Sequence, residues 1–270
     1  RIFRKIYMKK YLVIGNPITH SLSPKLHNYW IKQNNIDAIY DKKKLNENEL
    51  DNLILDVKER NISGVNVTVP FKNSIIPFLD ELSDVSKKTQ SVNTIYLKDK
   101  KVIGHNTDIE GFKNAIKKIN FDFKNKKIFI LGAGGVVPSI VYASMKMDSS
   151  EIFVSNRTSE KAEKVKSIFN NVKLVSWGDM PDFDVIINAT SLGLSQKDKI
   201  NLDLTQIGKN KLFYDLIYNP AETNFLKEAK KLGNKFENGK LMFIYQAFSA
   251  FKLWHGIEPT INNETIRFLD

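Results

Sequence analysis

Four groups of residues in this chain have the types and spacing to do chemistry. The first is Gly132-Ala133-Gly134-Gly135, set between the apolar run Ile128-Phe129-Ile130-Leu131 and a helical pattern that starts at Val136. Glycine lets a backbone turn sharply and approach a ligand with no Cβ in the way. The N–H groups of the following helix then face whatever lies over the turn, and a pyrophosphate suits that place. A second strand, Glu151 to Ser155, closes a βαβ unit and leads into Asn156-Arg157-Thr158. An acid at this point would serve a ribose 2′-hydroxyl, whereas an arginine fork suits a 2′-phosphate. A solvated loop arginine would look the same in isolation, and Val137 stands where the usual fingerprint has its third glycine.

The second group is Ser21 and Ser23, two apart in the turn-rich loop Asn16–Pro24 ahead of a helix. Two hydroxyls at such a place can hold a carboxylate, while N-capping would use one of them. The third is Asn66, Thr68 and Lys72. Alternation over Gly64 to Lys72 puts Val65, Val67 and Val69 on one side and Asn66 and Thr68 on the other, near the end that carries Lys72. A solvent-facing edge would alternate in the same way. The fourth is Asp108, which precedes a helix over Glu110–Ile119 and reads equally as a first-turn acid or a catalytic carboxylate.

The elements that position these groups follow the chain. A strand over Tyr11–Gly15 leads to the serine loop and a helix through His27, Trp30 and Ile31. A strand at Ala38–Tyr40 and an amphipathic helix over Glu47–Arg60 precede the Gly64 strand, after which a helix is expected to about Leu82 and another from Asp84. Ser91–Tyr96 and Lys101–Gly104 form a hairpin pattern. Beyond Arg157 come a helix over Ser159–Ile168 and strands at Val172–Val175, Asp184–Asn188 and Leu212–Pro220. Helices over Glu222–Leu232 and Leu241–Trp254 follow. The prediction is an α/β protein of two domains, with a Rossmann-like dinucleotide half.

Composition limits the function classes. Hydrophobic residues make up 42% and charged residues 26% of 270, as in globular proteins, and no apolar run is long enough for a membrane span. The absence of cysteine excludes a disulfide framework and thiolate chemistry and fits a cytoplasmic location. The net charge of +11 is spread over helix faces, without the interleaved aromatics of a nucleic-acid platform, so it reads as a surface that attracts anionic small molecules. No metal role is expected for the four histidines. Met8 is a candidate start with residues 1–7 upstream of it, or these are simply a basic N-terminus.

The motifs together resemble the shikimate dehydrogenase family. The likeness rests on Gly15-Asn16-Pro17-Ile18-x-His20-Ser21-Leu22-Ser23-Pro24, Asn66-Val67-Thr68-x-Pro70-x-Lys72, Val92-Asn93-Thr94 and Gly104-x-Asn106-Thr107-Asp108. It continues through the glycine loop, Asn156-Arg157-Thr158, Asn188-Ala189-Thr190-Ser191-x-Gly193, Asp215-x-x-Tyr218-x-Pro220 and Gly239-x-x-Met242-x-x-x-Gln246. Val136-Val137-Pro138 depart from the family's usual continuation of the glycine loop, and Lys161 stands in place of a common second arginine.

The resemblance implies NADPH-dependent reduction of 3-dehydroshikimate to shikimate in aromatic amino-acid biosynthesis. Lys72 and Asp108 would be catalytic, and Ser21, Ser23, Asn66, Thr68, Asn93, Tyr218 and Gln246 would bind or frame the substrate. NADP would be held by Gly132, Ala133, Gly134, Gly135, Val136, Asn156, Arg157, Thr158, Lys161, Thr190, Ser191, Leu216 and Gly239. The substrate domain is expected over 1–108 plus 239–270 and the NADP domain over 109–238, with the active site in a cleft between them. A monomer or homodimer is expected, with no nucleic-acid or membrane partner. A quinate/shikimate dehydrogenase using NAD is the nearest rival, and a non-catalytic NADP- or nucleic-acid-binding protein is the rival of another class.

Overall fold

A computed structural model describes residues 8–200, 202–205 and 207–270; Arg1 to Tyr7, with the question of an upstream extension, lie outside the described residues. The chain divides into two units. One comprises the described residues up to Thr107 together with Gln246–Asp270, and the other is Asp108–Tyr245.

The first unit runs β1 (Lys9–Gly15), α1 (Ser23–Gln33), β2 (Ala38–Lys44), α2 (Leu50–Lys58), β3 (Gly64–Val67), α3 (Phe71–Ser74), β4 (Glu81–Leu82), α4 (Asp84–Thr89), β5 (Thr94–Lys98) and β6 (Lys101–His105). Its sheet has the order β2-β1-β3-β5-β6-β4, with β1 parallel to β2 and β3, and β5 antiparallel to β3 and β6. The edge strand β2 exposes Asp41, Lys42, Lys43 and Lys44, and charge of this kind discourages edge-to-edge pairing. Apolar residues of α2 (Leu50, Leu53, Ile54, Val57) pack with Val65, Val67, Ile95 and Val102.

Aromatic rings from β1, α1, β2 and the C-terminal segment form a second cluster. His27 stacks on Tyr40, Trp30 meets Phe251 edge-on, and Tyr11 lies against Trp254. The Trp254 indole donates to the Ile95 carbonyl at 3.2 Å. It lies so close to Gly64 that a Cβ there would be 2.5 Å from Nε1, so the position requires glycine.

Two expectations fail around Lys72. The strand expected over Gly64–Lys72 stops at Val67, because Thr68 turns the chain and its carbonyl accepts from Phe71 N at 3.0 Å. Val69 is therefore 60% exposed instead of sharing a face with Val65 and Val67. The helix expected to about Leu82 is only α3. A 3-10 turn at Ile76–Phe78 containing Pro77 follows, and Asp80 then pairs with Val102 through N–H to O at 3.0 Å and carboxylate to N–H at 2.8 Å.

The second unit runs α5 (Asp108–Lys118), β7 (Lys127–Leu131), α6 (Val137–Lys146), β8 (Glu151–Ser155), α7 (Ser159–Ile168), β9 (Lys173–Leu174), β10 (Val185–Asn188), β11 (Leu212–Asp215), α8 (Asn224–Lys231), β12 (Lys235–Glu237) and the start of α9 (Lys240–His255). The rest of α9 and α10 (Asn263–Phe268) belong to the first unit. All pairs in this sheet are parallel, in the order β12-β11-β10-β7-β8-β9. Numbered from β7, that is the 3-2-1-4-5-6 arrangement of doubly wound dinucleotide-binding folds, with the switch point between β7 and β10.

Asp108 and residues 239–245 group with this unit and not with the first. The cause at the later boundary is local: Gly239 N donates to the Ile217 carbonyl at 3.1 Å, and the backbone of Leu216 leaves no room for a Cβ at 239, which ties the entry to α9 to the end of β11.

Candidate active site

All four residues of β3 are buried, so its one polar side chain, Asn66, must find partners inside the protein. Its Nδ2 donates to the Asn93 carbonyl and to Thr94 Oγ1, each at 3.1 Å, and its Oδ1 accepts from the Tyr40 hydroxyl at 2.7 Å. Asn93 continues the network. Its Oδ1 accepts from Thr107 N at 2.8 Å and from Thr94 Oγ1 at 2.9 Å, and its Nδ2 donates to Thr107 Oγ1 at 2.9 Å and to Gln246 Oε1 at 3.4 Å. The structure thus brings together Asn66, Asn93 and Gln246, three residues that are far apart in sequence. Asn66 has three bonds within the protein, so its part is to shape the site.

Lys72 sits in the short helix α3 and is only 8% exposed. The Lys72 carbonyl accepts from Val92 N at 2.8 Å, which ties this helix to the segment that carries Asn93. Thr68, half-buried, donates its N–H to the Ile14 carbonyl at 2.9 Å at the end of β1. Its methyl group lies only 2.6 Å from where a Cβ on Gly15 would be, so Gly15 makes room for it.

Ser21 and Ser23 flank the start of α1. Leu22, not a serine, occupies the N-cap position, with no side-chain cap; Ser21 Oγ accepts from Ser23 N at 3.3 Å. Ser23 is the first helical residue and is buried, and its hydroxyl meets the Tyr40 phenol.

In the second unit, the glycine loop joins β7 to α6 at the switch point. Gly132 has φ +109°, and a Cβ there would lie 2.8 Å from the Ala189 carbonyl oxygen. Over Gly134, by contrast, an added Cβ meets nothing within 4 Å, so the middle of the loop is open. Helix α6 starts one residue later than its sequence pattern; Val136 is its N-cap without a side-chain cap and Val137 is fully buried. Asn156, Arg157 and Thr158 follow β8; Arg157 and Thr158 are exposed and Asn156 donates to the Thr158 carbonyl at 2.8 Å. Lys161 is exposed in the first turn of α7.

The opposite wall of the switch point is built by Asn188 and Asp215, which are register partners. Asn188 Oδ1 accepts from Thr190 N at 3.1 Å and Thr190 Oγ1 at 2.7 Å, and its Nδ2 donates to Asp215 Oδ1 at 3.1 Å and to the Leu192 carbonyl at 2.9 Å. Asp215 also accepts from Thr223 Oγ1 at 2.6 Å and Ile217 N at 3.0 Å. Burial pushes its carboxyl up to about 6, against the pull of these donors. Thr190 and Ser191 are thereby held in one loop and Leu216 in the next, and Tyr218 stacks on Phe243 at 4.8 Å. Asp108 is buried, 4% exposed, as the first residue of α5, where a carboxylate is favoured by the helix dipole.

The sequence reading gave no part to Tyr40 and Thr94, which complete the network around Asn66. A signal was present for Thr94, which adjoins Asn93 in a matching motif. Tyr40 carried none beyond its strand pattern.

Comparison with known proteins places these sites in a family. Residues 13–95 match the family described as the shikimate dehydrogenase substrate binding domain, and residues 113–218 match the shikimate / quinate 5-dehydrogenase family. A protein of Pelagibacter ubique named shikimate dehydrogenase (NADP(+)) is 56% identical over 262 residues, covering 97% of this chain and 99% of that one. The crystal structure of shikimate dehydrogenase from Aquifex aeolicus superposes with a TM-score of 0.88 at 36% identity, covering 97% of each chain. That of shikimate 5-dehydrogenase from Thermus thermophilus, in complex with NADP(H) and shikimate, gives 0.88 at 29% identity, covering 97% of this chain and 98% of that one.

Proposed function

Because the chain belongs to the shikimate dehydrogenase family, we propose that it interconverts 3-dehydroshikimate and shikimate, with the substrate held chiefly by residues of the first unit and NADP by the second. It is an NADP-dependent oxidoreductase of aromatic amino-acid biosynthesis. The observation that carries the division of labour is the buried Lys72 tied to a segment whose amides and hydroxyls are already locked in place.

The cofactor suits the second unit on its own geometry. The Gly132 turn leaves no room for a side chain, the loop is open over Gly134, and α6 begins without a side-chain cap. Gly132 to Val136 would take the pyrophosphate, Asn156, Arg157, Thr158 and Lys161 the 2′-phosphate, and Thr190, Ser191, Leu216 and Gly239 the nicotinamide half. NADPH, when bound, supplies the hydride. The chain's own task is the proton and the fit. As the ketone oxygen gains charge, Lys72 donates a proton to it and Asp108 supports the ammonium; in the reverse direction Lys72 takes the proton back. Ser21 and Ser23, with Tyr218, hold the carboxylate, and Thr68, Asn93, Asp108 and Gln246 hold the ring hydroxyls. A substrate rich in hydroxyls needs such a set, since an unmatched buried polar group costs about 1–3 kcal/mol.

With this reading go a cytoplasmic location and a monomer or homodimer. The test follows NADPH absorbance with shikimate plus NADP, quinate plus NAD, and the crossed pairs. Turnover is expected with shikimate and NADP; preference for quinate and NAD would replace this assignment with the rival.

A further inference from the structure

The network around Asn66 and Asn93 has a direction that two backbone groups fix without ambiguity. The Asn93 carbonyl can only accept, so the atom of Asn66 that meets it is the amide nitrogen. Asn66 Oδ1 therefore faces Tyr40, whose hydroxyl must donate. Thr94 Oγ1 receives the other Asn66 N–H, which leaves its single proton for Asn93 Oδ1. Thr107 N–H can only donate and meets the same Asn93 oxygen. Each hydrogen bond thus sets the next: Tyr40 to Asn66, Asn66 to Thr94, Thr94 to Asn93. At its end, the Asn93 amide nitrogen is turned toward Gln246, another of the residues assigned to the ring hydroxyls, across a long contact of 3.4 Å.

We propose that Thr94 and Tyr40 are positioning residues, whose hydroxyls lock Asn66 and Asn93 so that Asn93 offers the substrate an N–H donor. The proposal rests on the shikimate reading and deepens it. The ring oxygen that meets Asn93 is bound as an acceptor, and the site is set for this before substrate arrives. Without the Thr94 hydroxyl, Asn93 Oδ1 loses a donor at 2.9 Å that opposes rotation of its amide and keeps only Thr107, through its N–H at 2.8 Å and its hydroxyl at 3.2 Å. Both Thr94 and Tyr40 are buried, and neither is assigned a contact with substrate or cofactor. Their effect should therefore appear in substrate affinity and not in the chemical step.

The test is steady-state kinetics of shikimate oxidation by the full chain with NADP. Thr94→Val keeps the shape and removes the proton; it is expected to raise the shikimate KM about tenfold, with the NADP KM within about twofold and kcat within about threefold of wild type. Thr94→Ser restores the hydroxyl and is expected to lie within about twofold of wild type. Asn93→Asp, which keeps the anchored oxygen and removes the donor edge, is expected to raise the shikimate KM at least as much as Thr94→Val. An unchanged shikimate KM in Thr94→Val, a serine variant as impaired as the valine one, or an Asn93→Asp enzyme that binds shikimate normally each overturns the proposal. Should Thr94→Val fail to fold, Tyr40→Phe gives the same reading: a raised shikimate KM with kcat retained supports it and an unchanged KM overturns it. A wild-type enzyme that turns over shikimate while the variants are unaffected defeats this proposal alone. A wild-type enzyme inactive with shikimate defeats the assignment of function and this proposal with it.

Discussion

A Cβ built on Gly239 would lie 2.1 Å from the carbonyl oxygen of Leu216 and 2.6 Å from its carbonyl carbon. Both are backbone atoms, so a side chain at 239 cannot be accommodated by turning a rotamer. Because Leu216 and Gly239 are both assigned to the nicotinamide half of NADP, Gly239→Ala should displace the β11 loop and the start of α9 together. The expected cost is about 2–4 kcal/mol of stability and a raised NADP KM. Thermal unfolding and NADP titration check it; an alanine variant with wild-type values for both would show that the contact yields freely.

Lys72→Ala should lower kcat by about 10²–10⁴-fold while the shikimate KM changes little, since the ammonium is assigned to the proton that moves in the transition state and not to ground-state binding. Circular dichroism should first establish that the variant is folded, because the side chain is buried in α3. A loss of tenfold or less would remove Lys72 from the chemical step.

Cofactor choice depends on Arg157 in the Asn156-Arg157-Thr158 turn after β8. Arg157→Ser is expected to raise the NADP KM about tenfold or more, the worth of a charge-assisted hydrogen bond, and to leave the NAD KM nearly unchanged. The exposed Lys161, four residues on in α7, should retain part of the grip on the 2′-phosphate. An equal effect on both cofactors would point to a change in the fold of the turn.

How much of this was legible in the chain depends on range. The second sheet could be read because each buried parallel strand is a short apolar run: Ile128–Leu131, Val185–Ile187 and Leu212–Tyr214 announce themselves with their turns. The limits of α7, Ser159–Ile168, agree with its pattern residue for residue. By contrast β4 and β12, of two and three residues, are too short to show a period, and α10 lies beyond the last motif. The end of β3 was misplaced because alternation continues through Val69 after the backbone has already turned at Thr68. The site residues themselves were named by motif, but their arrangement was not. Asn66 bonds to Tyr40, 26 positions earlier, and to Thr94, 28 later, and no local pattern encodes pairings of that kind.

The pH dependence of stability should be governed in part by His27, which is fully buried and whose two ring nitrogens have no hydrogen-bond partner among the described residues. It stacks on Tyr40 with ring centroids 4.2 Å apart, within the aromatic cluster that includes Trp254 and His255. Burial, and then the charge of His255, pull its pKa from 6.5 down to about 3. The folded state therefore binds this proton more weakly than the unfolded one. Stability from this group is complete above 6.5 and is lost as pH falls through the window from 6.5 to about 3. At about pH 5 the loss should reach about 2 kcal/mol, roughly 1.5 pH units below the unfolded value at 1.36 kcal/mol each. Asp215, raised to about 6 by burial, works in the opposite sense, since its folded form keeps a proton that the unfolded carboxyl has released. A comparison of wild type with His27→Phe cancels that contribution. The phenylalanine ring can keep the stack on Tyr40 and has no nitrogen to leave unsatisfied. His27→Phe is thus expected to unfold at a higher temperature than wild type, by a margin that widens from about pH 8 to about pH 5. A margin that stays constant across that range would mean that His27 does not resist protonation in the folded protein.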